Sequence, residues 1–274
     1  MAMPRKMTEK RKRFAFIGGG VMGEAMIRCL LAKKLVVPED ITVSDVSAAR
    51  REALSKEYGI ATLNDNAQAA TSADLVVLAV KPQNLAEVMD ELRGLLLRQP
   101  VLSIVAGASL SSLCCGLHHQ FVIRAMPNMP AQIGEGMTVW TATDETGKRQ
   151  KELARLVLRA LGKEIYVSDE KYLDMATALS GSGPAYVLLF VESLIDAGVH
   201  IGLPRDMAYQ LVMQTILGSG RMVEESGKHP ADLRNSVTSP GGTTTEALLQ
   251  LEKGRFRSVI IRAVSAAYKK AKRL

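Results

Sequence analysis

Two passages of the 274-residue chain combine residue types able to hold anionic groups. The first is FIGGGVMGEAM, residues 16–26, in which Gly18, Gly20 and Gly23 follow an apolar run and open a helical pattern. At G-x-G-x-x-G spacing the first glycine permits a tight turn and the second lets a pyrophosphate approach the backbone. The third lets helix and strand pack closely, and the helix N-terminus faces the phosphates. Gly19, Val21 and Met22 complete this turn, and the expected ligand is a dinucleotide. The second passage is SPGGTTTEALLQLEKG, residues 239–254. Ser239 and Pro240 set a turn, Gly241 and Gly242 free the backbone, and Thr243 or Thr244 can cap a helix running to about residue 252. A helix start presents unpaired N–H groups and a positive dipole end, which suits a carboxylate. One hydroxyl suffices for a cap, so the others are available to a ligand; the plain alternative is an over-decorated cap.

Further cofactor contacts follow from position. Asp45 lies 22 residues after Gly23, where an acidic residue would meet a ribose 2′-hydroxyl and favour NAD. Ser44, Ser47, Arg50 and Arg51 could instead hold a 2′-phosphate and favour NADP, so the two signals conflict. The segment Ala79-Val80-Lys81-Pro82 ends another apolar run, with Pro82 stopping it. Asn66 and the segment Ile104, Val105, Ala106 and Gly107 fall on the same edge by topology.

The elements that must carry these residues are read from periodicity. Strand-like runs occur at 13–18, 41–45, 74–80, 101–107 and 121–126, with helical stretches at 21–34, 47–58, 84–97 and 109–117. This alternation predicts a parallel sheet covered on both faces, an α/β Rossmann-type dinucleotide-binding domain. Two further strands, 137–142 and 164–169, flank a helix at about 146–161. Beyond residue 169 only helical stretches follow, at about 170–179, 184–200, 205–226, 230–236, 243–252 and 256–272. The organisation expected is a basic tail over 1–12, the dinucleotide-binding domain over 13–169 and an all-helical domain over 170–274. The stretch PAYVLLFVESLIDAGVHI, 184–201, is apolar on most faces and needs cover, for which a second subunit is a natural source.

Composition narrows the classes. A net charge of +7 is concentrated at the two ends, +5 over residues 1–13 and +4 over 269–274, leaving the body slightly acidic. Solvated tails account for that better than a nucleic-acid face, and 4% aromatic residues argue against base stacking. No run of 18 or more apolar residues points to a membrane span. Three cysteines, Cys29, Cys114 and Cys115, suit a reduced, cytoplasmic setting. Cys114 and His118 stand four apart, but no metal site is expected.

The motifs together carry a resemblance. FIGGGVMGEAM, AVKP, RAMPNMP (124–130), SGSGPAY (180–186), HPADLRNSVTSPGGTTTEAL (229–248) and GRFR (254–257) occur in the order seen in pyrroline-5-carboxylate reductases. The chain resembles that family from about residue 13 onward, and SPGGTTT is the most specific match. The resemblance implies reduction of 1-pyrroline-5-carboxylate to L-proline by hydride transfer from NADPH, with NADH as second candidate. It implies a homodimer interlocked through the helical domain and, in some members, a ring of dimers (a decamer). It places the substrate carboxylate against Ser239 and the backbone of Gly241, Gly242, Thr243 and Thr244, and the Thr244 hydroxyl at the ring nitrogen. It puts Val237 and Glu170 at the substrate and Ser236 near the cofactor. Related 3-hydroxy-acid dehydrogenases carry a lysine four residues past a G-x-G in the second domain; here that position, counted from Gly183, is Val187. A nucleotide-sensing oligomer without catalysis would have no use for the hydroxyl-rich turn at 239–244.

Overall fold

The computed structural model describes residues 11–273. Of the expected basic tail, residues 1–10 lie outside the described residues. Contacts among the described residues divide the chain into two units, one running to Gly181 and including the stretch from Tyr268, the other Ser182–Ala267.

The first unit is built on an eight-stranded sheet. Its strands are β1 (Phe14–Ile17), β2 (Ile41–Ser44), β3 (Ala61–Leu63), β4 (Leu75–Leu78), β5 (Val101–Ser103), β6 (Val122–Met126), β7 (Gly136–Ala142) and β8 (Gly162–Tyr166). The order is β3-β2-β1-β4-β5-β6-β7-β8. All neighbours run parallel except β6 and β7, which are antiparallel. The intervening helices are α1 (Val21–Ala32), α2 (Ala48–Tyr58), α3 (Asn66–Thr71), α4 (Leu85–Leu92), α5 (Leu110–Leu117) and α6 (Lys148–Ala160), followed by α7 (Lys171–Ala176).

Side-chain alternation along the strands explains the two-faced cover. Phe14 and Phe16 join Val43, Val77 and Leu102 in one core, against α1 and α6. Ala15 and Ile17 join Val76, Leu78 and Val122 in the other, against α3, α4 and α5. Each fully buried large side chain stabilises by roughly 1.5–3 kcal/mol. Local signals bound the helices. Ser47 Oγ accepts the Arg50 N–H at 3.3 Å to cap α2, and Gly59 at φ +66° ends it. Asp65 caps α3 through the Gln68 N–H at 2.8 Å, and Ser109 caps α5 through the Ser112 N–H at 3.1 Å.

The expected α/β Rossmann-type fold is therefore present, and each expected strand and helix has a counterpart. The short β3 and α3 were not expected: three residues of strand and six of helix are too few to show a period. Residues 170–181, grouped by texture with the helical half, pack with the first unit.

The second unit consists of α8 (Gly183–His200), α9 (Arg205–Ser226), α10 (Pro230–Ser236), α11 (Thr243–Lys253) and most of α12 (Phe256–Ala271). It holds little core of its own. In α8 only Val191 is buried, while Val187, Leu188, Leu189 and Phe190 stand open. The helical run Lys171–His200 is long and apolar enough to cross a membrane by length and composition, a test that core helices of soluble proteins also pass.

One backbone position tests the sheet directly. Gly162, at the start of β8, has φ +137°, and a Cβ there would lie 2.2 Å from the Gly136 carbonyl oxygen. Gly162→Ala combines a glycine-only conformation with a backbone clash. It should destabilise the first unit by about 2–3 kcal/mol, read as a lower midpoint in urea denaturation.

Candidate active site

The glycine turn sits at the carboxyl end of β1, and its four glycines have different work. Gly18 has φ +97°, and a Cβ there would meet the Ala79 carbonyl oxygen at 2.7 Å. A Cβ on Gly19 would lie 2.5 Å from Leu54 Cδ1, and one on Gly23 would lie 2.4 Å from the Gly18 carbonyl oxygen. Gly18 and Gly23 are held to glycine by neighbouring backbone, and Gly19 by the buried Leu54 side chain, which would have to shift. Gly20 is not so held: a Cβ there meets nothing within 4 Å. Gly20 is also the N-cap residue of α1, with no side-chain cap bond. The open space therefore lies at a helix N-terminus, where backbone N–H groups favour phosphate.

Gly18 and Gly20 line a cleft of about 480 Å³ together with Ser44, Asp45, Asn66, Ala79, Val80 and Lys81. Lys81 is the N-cap of the short 3-10 turn Pro82–Asn84, which turns the chain away from β4. Sequence reasoning missed several lining residues, Val46, Gln83, Asn84, Glu87, Val88 and Glu91. Gln83 and Asn84 lie in that turn and Glu87, Val88 and Glu91 on α4 behind it, and their position after Lys81 was the only signal available. Ile104–Gly107 follow β5 on the same sheet edge, outside the lining of this cleft; Val105 is buried and Gly107 has φ +79°. Val21 is exposed, whereas Met22 packs against the core.

The carboxyl end of β2 is tied to the glycine turn. Asp45 Oδ2 accepts the Gly19 N–H at 2.8 Å, and Asp45 Oδ1 accepts the Ser47 N–H at 2.9 Å. Arg50 Nε donates to the Gly19 carbonyl at 2.5 Å, and its Nη2 pairs with Glu24. Both backbone polar groups of one loop residue, Gly19, are thus held from the β2–α2 region. Asn66 Nδ2 donates to Glu91 Oε2 at 2.6 Å across the cleft lining.

In the second unit the turn before α11 closes through the Gly242 N–H, which donates to the Ser239 carbonyl at 3.0 Å. Gly241 takes φ +70°, and a Cβ on Gly242 would lie 2.5 Å from Ser239 Oγ. The cap was expected at Thr243 or Thr244, but it is Gly242, extended at φ −80° and ψ 163°, with no side-chain cap bond. Ser239 crowds that position, and all three threonines fall inside the helix. Thr245 Oγ1 donates to the Ser239 carbonyl at 2.7 Å. Among the described residues, the hydroxyls of Thr243 and Thr244 and their backbone N–H groups have no protein partner. Val237 is exposed just beyond α10, and Ser236 Oγ donates back to the Leu233 carbonyl at 2.7 Å.

Glu170 has other partners. Its Oε1 accepts the Leu110 N–H at 2.8 Å and pairs with Arg124 Nη1 at 2.7 Å. Asp174 takes the other arm of the buried Arg124 at 3.1 Å. This carboxylate therefore joins α7 to β6 and to the start of α5.

Gly20→Val should leave the fold intact, because the protein itself has room, while filling the space a pyrophosphate needs. Nicotinamide cofactor binding should weaken at least about a hundredfold by titration; unchanged binding in a folded variant would remove the turn from the site.

Comparison with known proteins matches both halves of the chain. Residues 13–107 match the family model described as NADP oxidoreductase coenzyme F420-dependent, and residues 170–274 match pyrroline-5-carboxylate reductase dimerisation. A pyrroline-5-carboxylate reductase of Synechocystis sp. is 44% identical over 262 residues, covering 96% of this chain and 98% of its own. The structure of a pyrroline-5-carboxylate reductase from Coxiella burnetii superposes with a TM-score of 0.90 at 38% identity, covering 96% of this chain and 98% of that one. That of the Plasmodium falciparum enzyme, with NADP bound, gives 0.87 at 32% identity, covering 95% and 97%. Identity at this level over nearly the full length of both chains is more than a shared fold: the chain belongs to the pyrroline-5-carboxylate reductase family.

Proposed function

We propose that the chain reduces 1-pyrroline-5-carboxylate to L-proline with NAD(P)H, the last step of proline biosynthesis, as a cytoplasmic enzyme. The observation that carries the reading is the turn at 239–244. It offers two free N–H groups, two free hydroxyls and a positive helix end, with no strong acid or base in the turn itself. That set fits a substrate which brings its own carboxylate and whose imine nitrogen takes its proton from water. The glycine turn and cleft of the first unit fit the dinucleotide, which supplies the hydride.

The chain's residues then have separable roles. The amides of Thr243 and Thr244, with Ser239, hold the carboxylate. The Thr244 hydroxyl hydrogen-bonds the ring nitrogen. A hydroxyl is a poor acid, so it orients the C=N bond rather than protonating it. Hydride adds to C5, the C=N bond becomes C–N, and the proton on nitrogen stays to give the secondary amine. Initial rates of cofactor oxidation with pyrroline-5-carboxylate, measured with NADPH and NADH side by side, test the assignment. No oxidation with either cofactor would overturn it.

Thr244→Val keeps shape and removes the hydroxyl. Catalytic efficiency should fall about ten- to a hundredfold, with cofactor affinity unchanged. A fall in kcat places the contact in the transition state, and a rise in KM alone places it in substrate binding. Wild-type kinetics would make Thr244 a plain helix residue.

The chain forms oligomers through its C-terminal half. A homodimer, and a decameric ring of dimers, would cover the open face of α8. Leu189 is 64% exposed on that face. Leu189→Arg buries an unpaired charge in any such interface and should shift light scattering toward monomer, with loss of activity. An active, stable wild-type monomer at micromolar concentration would contradict the assembly.

A further inference from the structure

The two arginines that could meet a 2′-phosphate, Arg50 and Arg51, are both occupied. Arg50 pairs with Glu24 and donates to the Gly19 carbonyl. Arg51 Nη1 donates to the carbonyls of Asp45 at 2.6 Å and Val46 at 3.1 Å, and to Asn64 Oδ1 at 3.0 Å. Neither guanidinium lines the cleft, whose charged lining is Asp45, Lys81, Glu87 and Glu91. Glu24 is itself held from two sides, because Tyr58 donates its hydroxyl to Oε1 at 2.9 Å while Arg50 takes Oε2.

We propose that Glu24 is a specificity-determining residue: by pairing with Arg50 it withholds that guanidinium from the 2′-phosphate of the cofactor and so limits the advantage of NADPH over NADH. The inference rests on the reductase reading for its cofactor and names what sets the choice within it.

The physical chain is short. A 2′-phosphate adds up to two negative charges near Asp45, and an arginine is the natural counter-charge because its planar fork matches phosphate oxygens. Arg50 stands in the first turn of α2, close after the β2 end that lines the cleft, which puts its guanidinium in sequence reach of a 2′-phosphate there. Engaging the phosphate would cost it the Glu24 pair. Glu24 cannot escape that cost by taking a proton at neutral pH. Burial alone pushes its carboxyl up, but the bonds from Arg50 and Tyr58 and the Arg50 charge outweigh burial and hold it below the ordinary value. An unmodified ribose makes no such demand. Its 2′-hydroxyl needs only an acceptor, and the Asp45 carboxylate, placed by the Gly19 and Ser47 N–H groups, has lone pairs left.

The test separates this from the reductase reading by using probes of the adenosine end alone. Dissociation constants of 2′,5′-ADP and 5′-AMP are measured calorimetrically on the full chain and on Glu24→Gln, together with the NADPH:NADH ratio of kcat/KM. Releasing a partly exposed ion pair should tighten 2′,5′-ADP and raise the ratio by about fivefold, leaving 5′-AMP within about twofold. The gain should vanish in Glu24→Gln with Arg50→Ala, and Glu24→Ala should reproduce it if Glu24→Gln folds poorly. Parallel changes in both probes would reduce the network to a brace for the glycine turn and overturn the proposal. No change in either probe would overturn it as well. Since the probes contain no imine, an absence of turnover would sink the reductase reading without touching this one.

Discussion

Between the Gly18 carbonyl and the Cα of Gly23 there is room for a hydrogen and nothing more, since a Cβ on Gly23 would stand 2.4 Å from that oxygen. The cofactor end of the sheet depends on this approach. It lets α1 start immediately after β1 and brings its first N–H groups to the strand's carboxyl end. The turn between them is then fastened through one residue: the Gly19 N–H to Asp45, the Gly19 carbonyl to Arg50. Three glycines are used up in building this geometry. The fourth, Gly20, faces open space at the start of α1. A spacing motif names all of them at once. Only the surroundings of each Cβ position separate the glycines confined by packing from the one that is not.

The same division marks what the sequence could reveal. The buried strands were legible because parallel strands covered on both faces are continuous apolar runs, as FAFI and LVVL are here. The three-residue β3 and six-residue α3 carry no comparable signal. Gly18, Gly20, Asp45, Asn66 and Lys81 were legible because topology alone sends them to one sheet edge, and they do line one cleft. The roles of Arg50 and Arg51 were not, because they depend on which oxygens the guanidinium groups meet. Glu24 sits one turn into α1 and Tyr58 ends α2; only folding brings them together around Arg50. Glu170 shows the same limit. Its identity as an acid was visible, but its use by Arg124 and the Leu110 amide was not.

In the helical unit the informative feature was an excess. Helices α8, α9 and α11 bury one, one and none of their residues within the described chain. A unit with so little core cannot offset the entropy of ordering its backbone unless other surface covers it. The dimerisation family match over 170–274 identifies the class of cover. Function and assembly are then one problem, because the turn before α11 belongs to that same unit and keeps its shape only while the unit is ordered.

The chemistry proposed for that turn also accounts for what it lacks. Hydride addition removes the positive charge of an iminium. A carboxylate placed beside the nitrogen would hold the charged substrate more tightly than the transition state, in which that charge is fading, and would slow the step. A hydroxyl avoids this, since it can accept from a protonated nitrogen and donate to a lone pair, and so fits substrate and product alike. The positive helix end favours the substrate's carboxylate, which is itself the counter-charge to the iminium. The reacting ring therefore enters as a neutral pair of charges. A site made of Ser239, two threonines and their N–H groups needs no buried acid to receive it, and Thr244 is a better neighbour for the nitrogen than any residue of full negative charge.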